Sequence, residues 1–95
     1  MDMTIGVLTA ELVIGEAQSL KDKRQVLKSV LAHLRNAFNV SAAEVGDNDL
    51  WQRATIGIAV VANNNAFANQ VLDKVLDHLE ADPCIDVGAC EIELL

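Results

Sequence analysis

An α+β sandwich is predicted by three features of this chain. Strand-like alternation occupies both ends, two amphipathic helical stretches lie between, and turn-forming residues divide the whole into the order β-α-β-β-α-β. The first element is a strand over residues 4 to 14, with Gly6, Leu8, Ala10, Leu12 and Ile14 on one face and Ile5, Val7, Thr9 and Glu11 on the other. Ser19 offers an N-cap, with Asp22 as a short capping-box carboxylate, for a helix that runs to about Phe38 and stops at Asn39. Residues 40 to 46 and Ala54 to Ala62 read as the next two strands, joined as a hairpin by the turn-rich Asp47-Asn48-Asp49-Leu50-Trp51-Gln52. Asn63-Asn64-Asn65 supplies a break and a cap. From about Ala66, the residues Phe67, Ala68, Val71, Leu72, Val75, Leu76 and Leu79 form the apolar side of a second helix, opposite Asp73, Asp77 and Glu80. The chain breaks again at Asp82-Pro83 and resumes as a strand from about Ile85 to Leu94. Two helices with one apolar side each are both satisfied by covering the same face of a four-stranded antiparallel sheet, the split βαβ or ferredoxin-like arrangement. Its other face is left to water or a partner.

Ninety-five residues make one domain, 1–95, large enough to bury a core without disulfide or metal staples. Apolar residues supply 52% of the chain but aromatics only 3%, namely Phe38, Trp51 and Phe67, so the core is expected to be aliphatic. Cys84 and Cys90 are too few for a thiolate cluster and lack the spacing of a redox or zinc pair. Within one strand they would lie about 20 Å apart, beyond disulfide reach, and both are expected to be semi-buried. The residues Met1-Asp2-Met3-Thr4 do not resemble a secretory leader, and no apolar stretch approaches the ~20 residues of a membrane span. A cytoplasmic location without membrane partners is expected.

The net charge of −7 argues against indiscriminate attraction of the whole molecule to nucleic acid or anionic lipid. That charge is unevenly spread. Residues 1 to 43 carry five basic and four acidic groups, whereas residues 44 to 95 carry two basic and ten acidic groups. Five of the seven basic residues, Lys21, Lys23, Arg24, Lys28 and Arg35, fall in the first helix. Lys21, Arg24, Lys28 and Arg35 project into a narrow sector beside the apolar arc of Leu20, Leu27, Leu31, Leu34 and Phe38. Lys21, Lys23 and Arg24 sit at the positive end of the helix dipole, and the longer stripe suits a phosphate backbone. The alternative is a solvated or ion-paired face.

A second candidate is the segment Glu44 to Arg53. Glu44, Asp47 and Asp49 place carboxylates near Trp51, with Arg53 just beyond, a set suited to contacting a ligand or partner through Glu44, Asp49, Trp51 and Arg53. The spacing matches no calcium loop. The favoured reading of the segment is a structural turn with Trp51 packed on the sheet or in a subunit interface, and ligand contact is the alternative. His33 and His78 lack a nucleophile or paired ligand nearby and read as surface residues. No catalytic group, metal site or cofactor is expected.

Three stretches carry a family resemblance: Ser19-Leu20-Lys21-Asp22-Lys23-Arg24, Phe38-Asn39-Val40-Ser41-Ala42-Ala43-Glu44-Val45, and Asp49-Leu50-Trp51-Gln52-Arg53-Ala54. With Ile5-Gly6-Val7-Leu8 and Ile56-Gly57-Ile58-Ala59-Val60-Val61, they make the chain resemble the YlxP-like family of small bacterial proteins of unknown function. The resemblance implies a ferredoxin-like fold and bacterial origin. Genes of that family often lie beside those for translation initiation and ribosome maturation, which implies an RNA- or ribosome-associated role. It brings no catalytic residues, and the acidity of this chain restricts any RNA contact to a local patch. Acylphosphatase shares the size and topology, but where that enzyme carries an arginine cradle this chain has the acidic loop Gly15-Glu16-Ala17-Gln18, and the enzyme reading is rejected.

The leading expectation is a noncatalytic protein that binds structured RNA or a ribosomal subunit through the start of the first helix. The alternative is an ACT-like small-ligand or homo-oligomeric module without nucleic-acid binding, a homodimer being suited to a sheet with one open face. A purely structural partner that pairs through the open face or an edge strand is a third.

Overall fold

The computed structural model describes residues 2–95, so Met1, the first residue of the segment read for a leader, lies outside the described residues. The elements follow the expected order: β1 (Thr4–Val13), α1 (Leu20–Ala37), β2 (Ser41–Gly46), β3 (Arg53–Ala62), α2 (Asn65–Glu80) and β4 (Asp86–Leu94). They form one antiparallel sheet in the order β2-β3-β1-β4, with both helices on one face, which is the ferredoxin-like arrangement.

The inward phase of β1 is the one its alternation dictates: Gly6, Leu8, Ala10 and Leu12 are buried, as is Ile14 just beyond the strand. Gly6 marks the closest helix approach. A Cβ there would meet Leu72 Cδ1 at 3.0 Å, Val60 Cγ1 at 3.2 Å and Ala68 Cβ at 3.3 Å, so α2 sits tight on β1 only because no side chain intervenes. Against this surface α1 buries Leu27, Val30 and Leu34, and α2 buries Ala68, Leu72, Val75 and Leu79. The hydrophobic part of the core is aliphatic, each Leu, Ile or Val contributing about 1.5–3 kcal/mol by its burial.

Helix starts follow local hydrogen-bond chemistry. Ser19 Oγ accepts from the Asp22 N–H at 3.0 Å, while the Asp22 carboxylate reaches back to the N–H of Gln18 at 3.1 Å, one residue earlier than a standard capping box. Asn64 caps α2 by accepting from the Phe67 N–H at 2.7 Å, and Thr4 Oγ1 donates to Asn65 Oδ1, tying that end of α2 to β1.

Three packing expectations are corrected. Phe67 belongs to the apolar side of α2 by periodicity, yet it lies one residue, about 100° round the helix, off the buried stripe of Ala68, Leu72, Val75 and Leu79 and is half exposed. Cys84 precedes β4 in a loop and Cys90 lies on that edge strand, and both are exposed rather than semi-buried. Desolvation of the Cys90 thiol raises its pKa above the ordinary value, with the carboxylates of Glu80 and Glu11 adding to the shift.

The helices divide the sheet between them. α1 packs over β2, α2 over β1, β3 and β4, and the two helices meet over a short stretch. The opposite sheet face is uncovered, with Ile5, Val13, Val45 and Val61 exposed on it and Glu91 and Glu93 opposite Thr9 and Val7. No helix among the described residues is long and apolar enough to cross a membrane.

Candidate nucleic-acid interface

The first helix has two unlike flanks because its core stripe runs through residues 23, 27, 30 and 34. On the flank toward the β2 edge, Lys21, Arg24, Lys28 and Arg35 are all exposed. Arg35 is partly engaged: its Nη2 donates to the Ala42 carbonyl of β2 at 2.6 Å, which fixes that flank against the edge strand. Lys21, Arg24 and Lys28 extend from the same side with no carboxylate within ion-pair distance among the described residues. The one ion pair among the described residues involves none of them.

That pair removes Lys23 from the phosphate-binding set. Lys23 is fully buried, its Nζ lying 2.9 Å from Glu44 Oε2 and donating to the Asp47 carbonyl at 2.6 Å. It occupies the core stripe between Leu20 and Leu27, so its side chain runs inward rather than toward solvent. Glu44 is corrected with it. Glu44 pairs across the sheet with buried Ile56 and so faces the helices, where its side chain keeps only 19% exposure. A buried ammonium is tolerated only when paired, and here it gains one carboxylate and one carbonyl. Glu44 Oε2 accepts no well-aligned hydrogen bond, so its stabilisation is the charge of Lys23 itself.

The β2–β3 turn is consequently fastened to the helix start. Asp47, held in the left-handed region at φ 60, turns its carbonyl toward both Lys23 and the Leu50 N–H. Its carboxylate accepts from Thr55 Oγ1 at 3.2 Å. At the other end of the turn, Gln52 Nε2 donates to the carbonyls of Gly15 and Ala17 at 3.0 and 3.1 Å, and the Gln52 carbonyl accepts from the Ile14 N–H at 2.9 Å. These bonds hold the tip against the β1–α1 connection.

Trp51, between the two anchors, is 56% exposed, with Asp49 and Leu50 exposed beside it. The expectation that Trp51 packs on the sheet is corrected: Gln52 and Asp47 anchor the turn through polar bonds, leaving the indole outside. Arg53 is separate from the basic flank. It pairs with Val13 on the uncovered face, where it shares a hollow with Glu11 and Asp47, carboxylates that oppose a phosphate there. The turn therefore splits the second candidate set: Glu44 is interior, Asp49 and Trp51 are at the tip, and Arg53 is on the far face.

The remaining polar candidates stay apart. His33 and His78 are exposed, and His78 makes an edge-to-face contact with Phe38 at 5.8 Å between ring centroids. Among the described residues no three His, Cys, Asp or Glu side chains converge as a metal-holding group. Sequence reasoning missed Gln52 and the Asp47 carbonyl as positioning groups, because a turn's backbone carbonyl carries no sequence signature.

Residues 5–92 match the family model described as "Protein of unknown function (DUF503)". The chain is also similar to the "Uncharacterized protein YlxP" of Bacillus subtilis (strain 168), with 42% identity over 82 residues that cover 86% of this chain and 89% of the relative. The match takes in α1, the β2–β3 turn and most of β4, and the chain belongs to this YlxP-like family of proteins of unknown function.

Proposed function

We propose that this chain is a noncatalytic cytoplasmic protein that binds structured RNA or a ribosomal subunit through the outer flank of α1. The observation that carries the reading is the set Lys21, Arg24 and Lys28, three exposed cations on one flank of a helix with no carboxylate partner among the described residues, in an otherwise acidic chain. On that charge background, three unpaired cations in a row are matched to a phosphate backbone, and the acidic remainder limits contact to this flank. Arg35 extends the row, and Trp51, held beside the helix start by the Gln52 bonds, adds a stacking surface for an unpaired base.

The test is recovery of RNA and ribosomal subunits from bacterial lysate on immobilised protein at low and high salt, comparing wild type with Lys21→Ala/Arg24→Ala/Lys28→Ala. Salt-sensitive recovery that disappears in the variant is expected. Equal recovery by both proteins would overturn the assignment, and recovery of neither RNA nor subunits would favour the small-ligand or homo-oligomer alternative.

A further inference from the structure

The other flank of α1 carries a second, chemically opposite feature. Between α1 and the Asp82–Cys84 connection runs an open cleft formed by adjoining cavities of about 360 and 210 Å³. Its floor is apolar, made by Ile14, Val26 and Val30, and Pro83 forms the facing wall. The carboxylates along it are those of Glu16, Asp22 and Asp82; the His33 imidazole also lines it, and no Lys or Arg does among the described residues. This absence is specific to the flank, since the basic residues of the same helix all project toward the β2 edge or into the core.

The geometry points to a binding site for an extended segment of a partner protein in which an apolar side chain is flanked by Lys or Arg. Length and charge both choose this occupant. The lining residues of α1 run from Asp22 to His33, about 16 Å at ~1.5 Å per residue, which is the span of about five residues of extended peptide. An apolar side chain fits the floor, and flanking cations reach Glu16 and Asp22 at one end and Asp82 at the wall. The same carboxylates repel nucleic acid, so this surface is distinct from the proposed RNA-binding flank. The site is open along its length, which suits a linear occupant better than an enclosed small molecule.

The test is selection of displayed random decapeptides on the immobilised full chain, followed by titration of the synthesised winners against the labelled protein by NMR. Winners are expected to carry Lys or Arg on both sides of a Leu, Ile, Met or Phe, and to shift the amides of Gln25, Ser29 and Cys84. Val26→Arg, which fills the floor with a like charge, is expected to weaken binding by more than about tenfold, a lost apolar contact of this size corresponding to ~1.5 kcal/mol or more. Asp82→Asn retains an oxygen to accept from the Cys84 N–H, a bond of 2.9 Å, and keeps the variant set readable if Val26→Arg fails to fold. It is expected to weaken binding about two- to fivefold, the range of a partly exposed charge pair. Enrichment of no peptide class, winners that are acidic or purely apolar, shifts confined to the sheet face, or equal binding of a scrambled peptide of the same composition would each overturn the assignment.

Discussion

Removal of either partner of the Lys23–Glu44 pair is expected to destabilise the protein, and unequally. Lys23→Met keeps the volume of the side chain and deletes its charge, leaving Glu44 without a counterion. Breaking a buried pair by removing one member costs about 3–5 kcal/mol. The Glu44 side chain retains 19% exposure and recovers some hydration, so about 2–4 kcal/mol is expected for Lys23→Met. Glu44→Leu leaves the deeper group behind: the Lys23 side chain is 1% exposed and keeps only the Asp47 carbonyl. Its cost belongs at the upper end, about 4–5 kcal/mol. In the double variant Lys23→Met/Glu44→Leu both charges are gone and most of the loss returns, because apolar replacement of a whole buried pair is close to neutral. For a domain of this size 1 kcal/mol moves Tm by about 4–8 °C, so Lys23→Met is expected to lower Tm by roughly 8–32 °C. Urea and thermal denaturation followed by circular dichroism read all three variants. A Lys23→Met protein within about 0.5 kcal/mol of wild type, or a double variant no more stable than the worse single one, would refute the buried pair as a structural tie.

Three further outcomes follow from the same geometry. Gly6→Ala is expected to cost about 1–3 kcal/mol by overpacking, since its Cβ would meet Leu72, Val60 and Ala68 within 3.3 Å; chemical denaturation with an unchanged midpoint would contradict the close approach of α2 to β1. Trp51→Ala is expected to leave stability within about 0.5 kcal/mol, because the indole is 56% exposed, while weakening RNA binding by about 1–3 kcal/mol, as read by fluorescence anisotropy. Cys90, exposed but with its thiol pKa raised, is expected to alkylate more slowly than a free model thiol at pH 8 and to keep accelerating at pH values where the free thiol has levelled off, because only the thiolate reacts; mass spectrometry of iodoacetamide-labelled peptides follows it, and a rate profile matching the free thiol would contradict it.

Much of the fold is legible in the sequence because its signals are periodic. The alternation from Gly6 to Ile14 names the buried face of β1, and Ser19 and the Asn63–Asn65 run mark both helix starts within a residue. The site is less legible, because residue type and residue position conflict there. Lys23 is basic, and charge alone places it with Lys21 and Arg24. Its position, three residues after Leu20 and four before Leu27, is a core position. Glu44 carries the matching signal, lying two residues from buried Ala42 on the inward phase of β2. A Lys and a Glu at the core phase of two adjoining elements together announce a buried pair, and neither does so alone. Trp51 escapes for another reason: exposure at a turn tip depends on the anchoring of Gln52 and Asp47 by backbone and side-chain bonds, which no periodicity encodes.

The central claim, that the outer flank of α1 binds phosphate, is tested most directly by the salt dependence of binding to a fluorescent structured RNA, read by anisotropy for wild type and for the Lys21/Arg24/Lys28 triple alanine variant. The logarithm of affinity is expected to fall with the logarithm of salt with a slope of about −2 to −3, at roughly 0.7–0.9 per phosphate contact, and the slope to flatten toward zero in the variant. Wild-type binding with the same slope in the variant, or no binding at low salt, would contradict it.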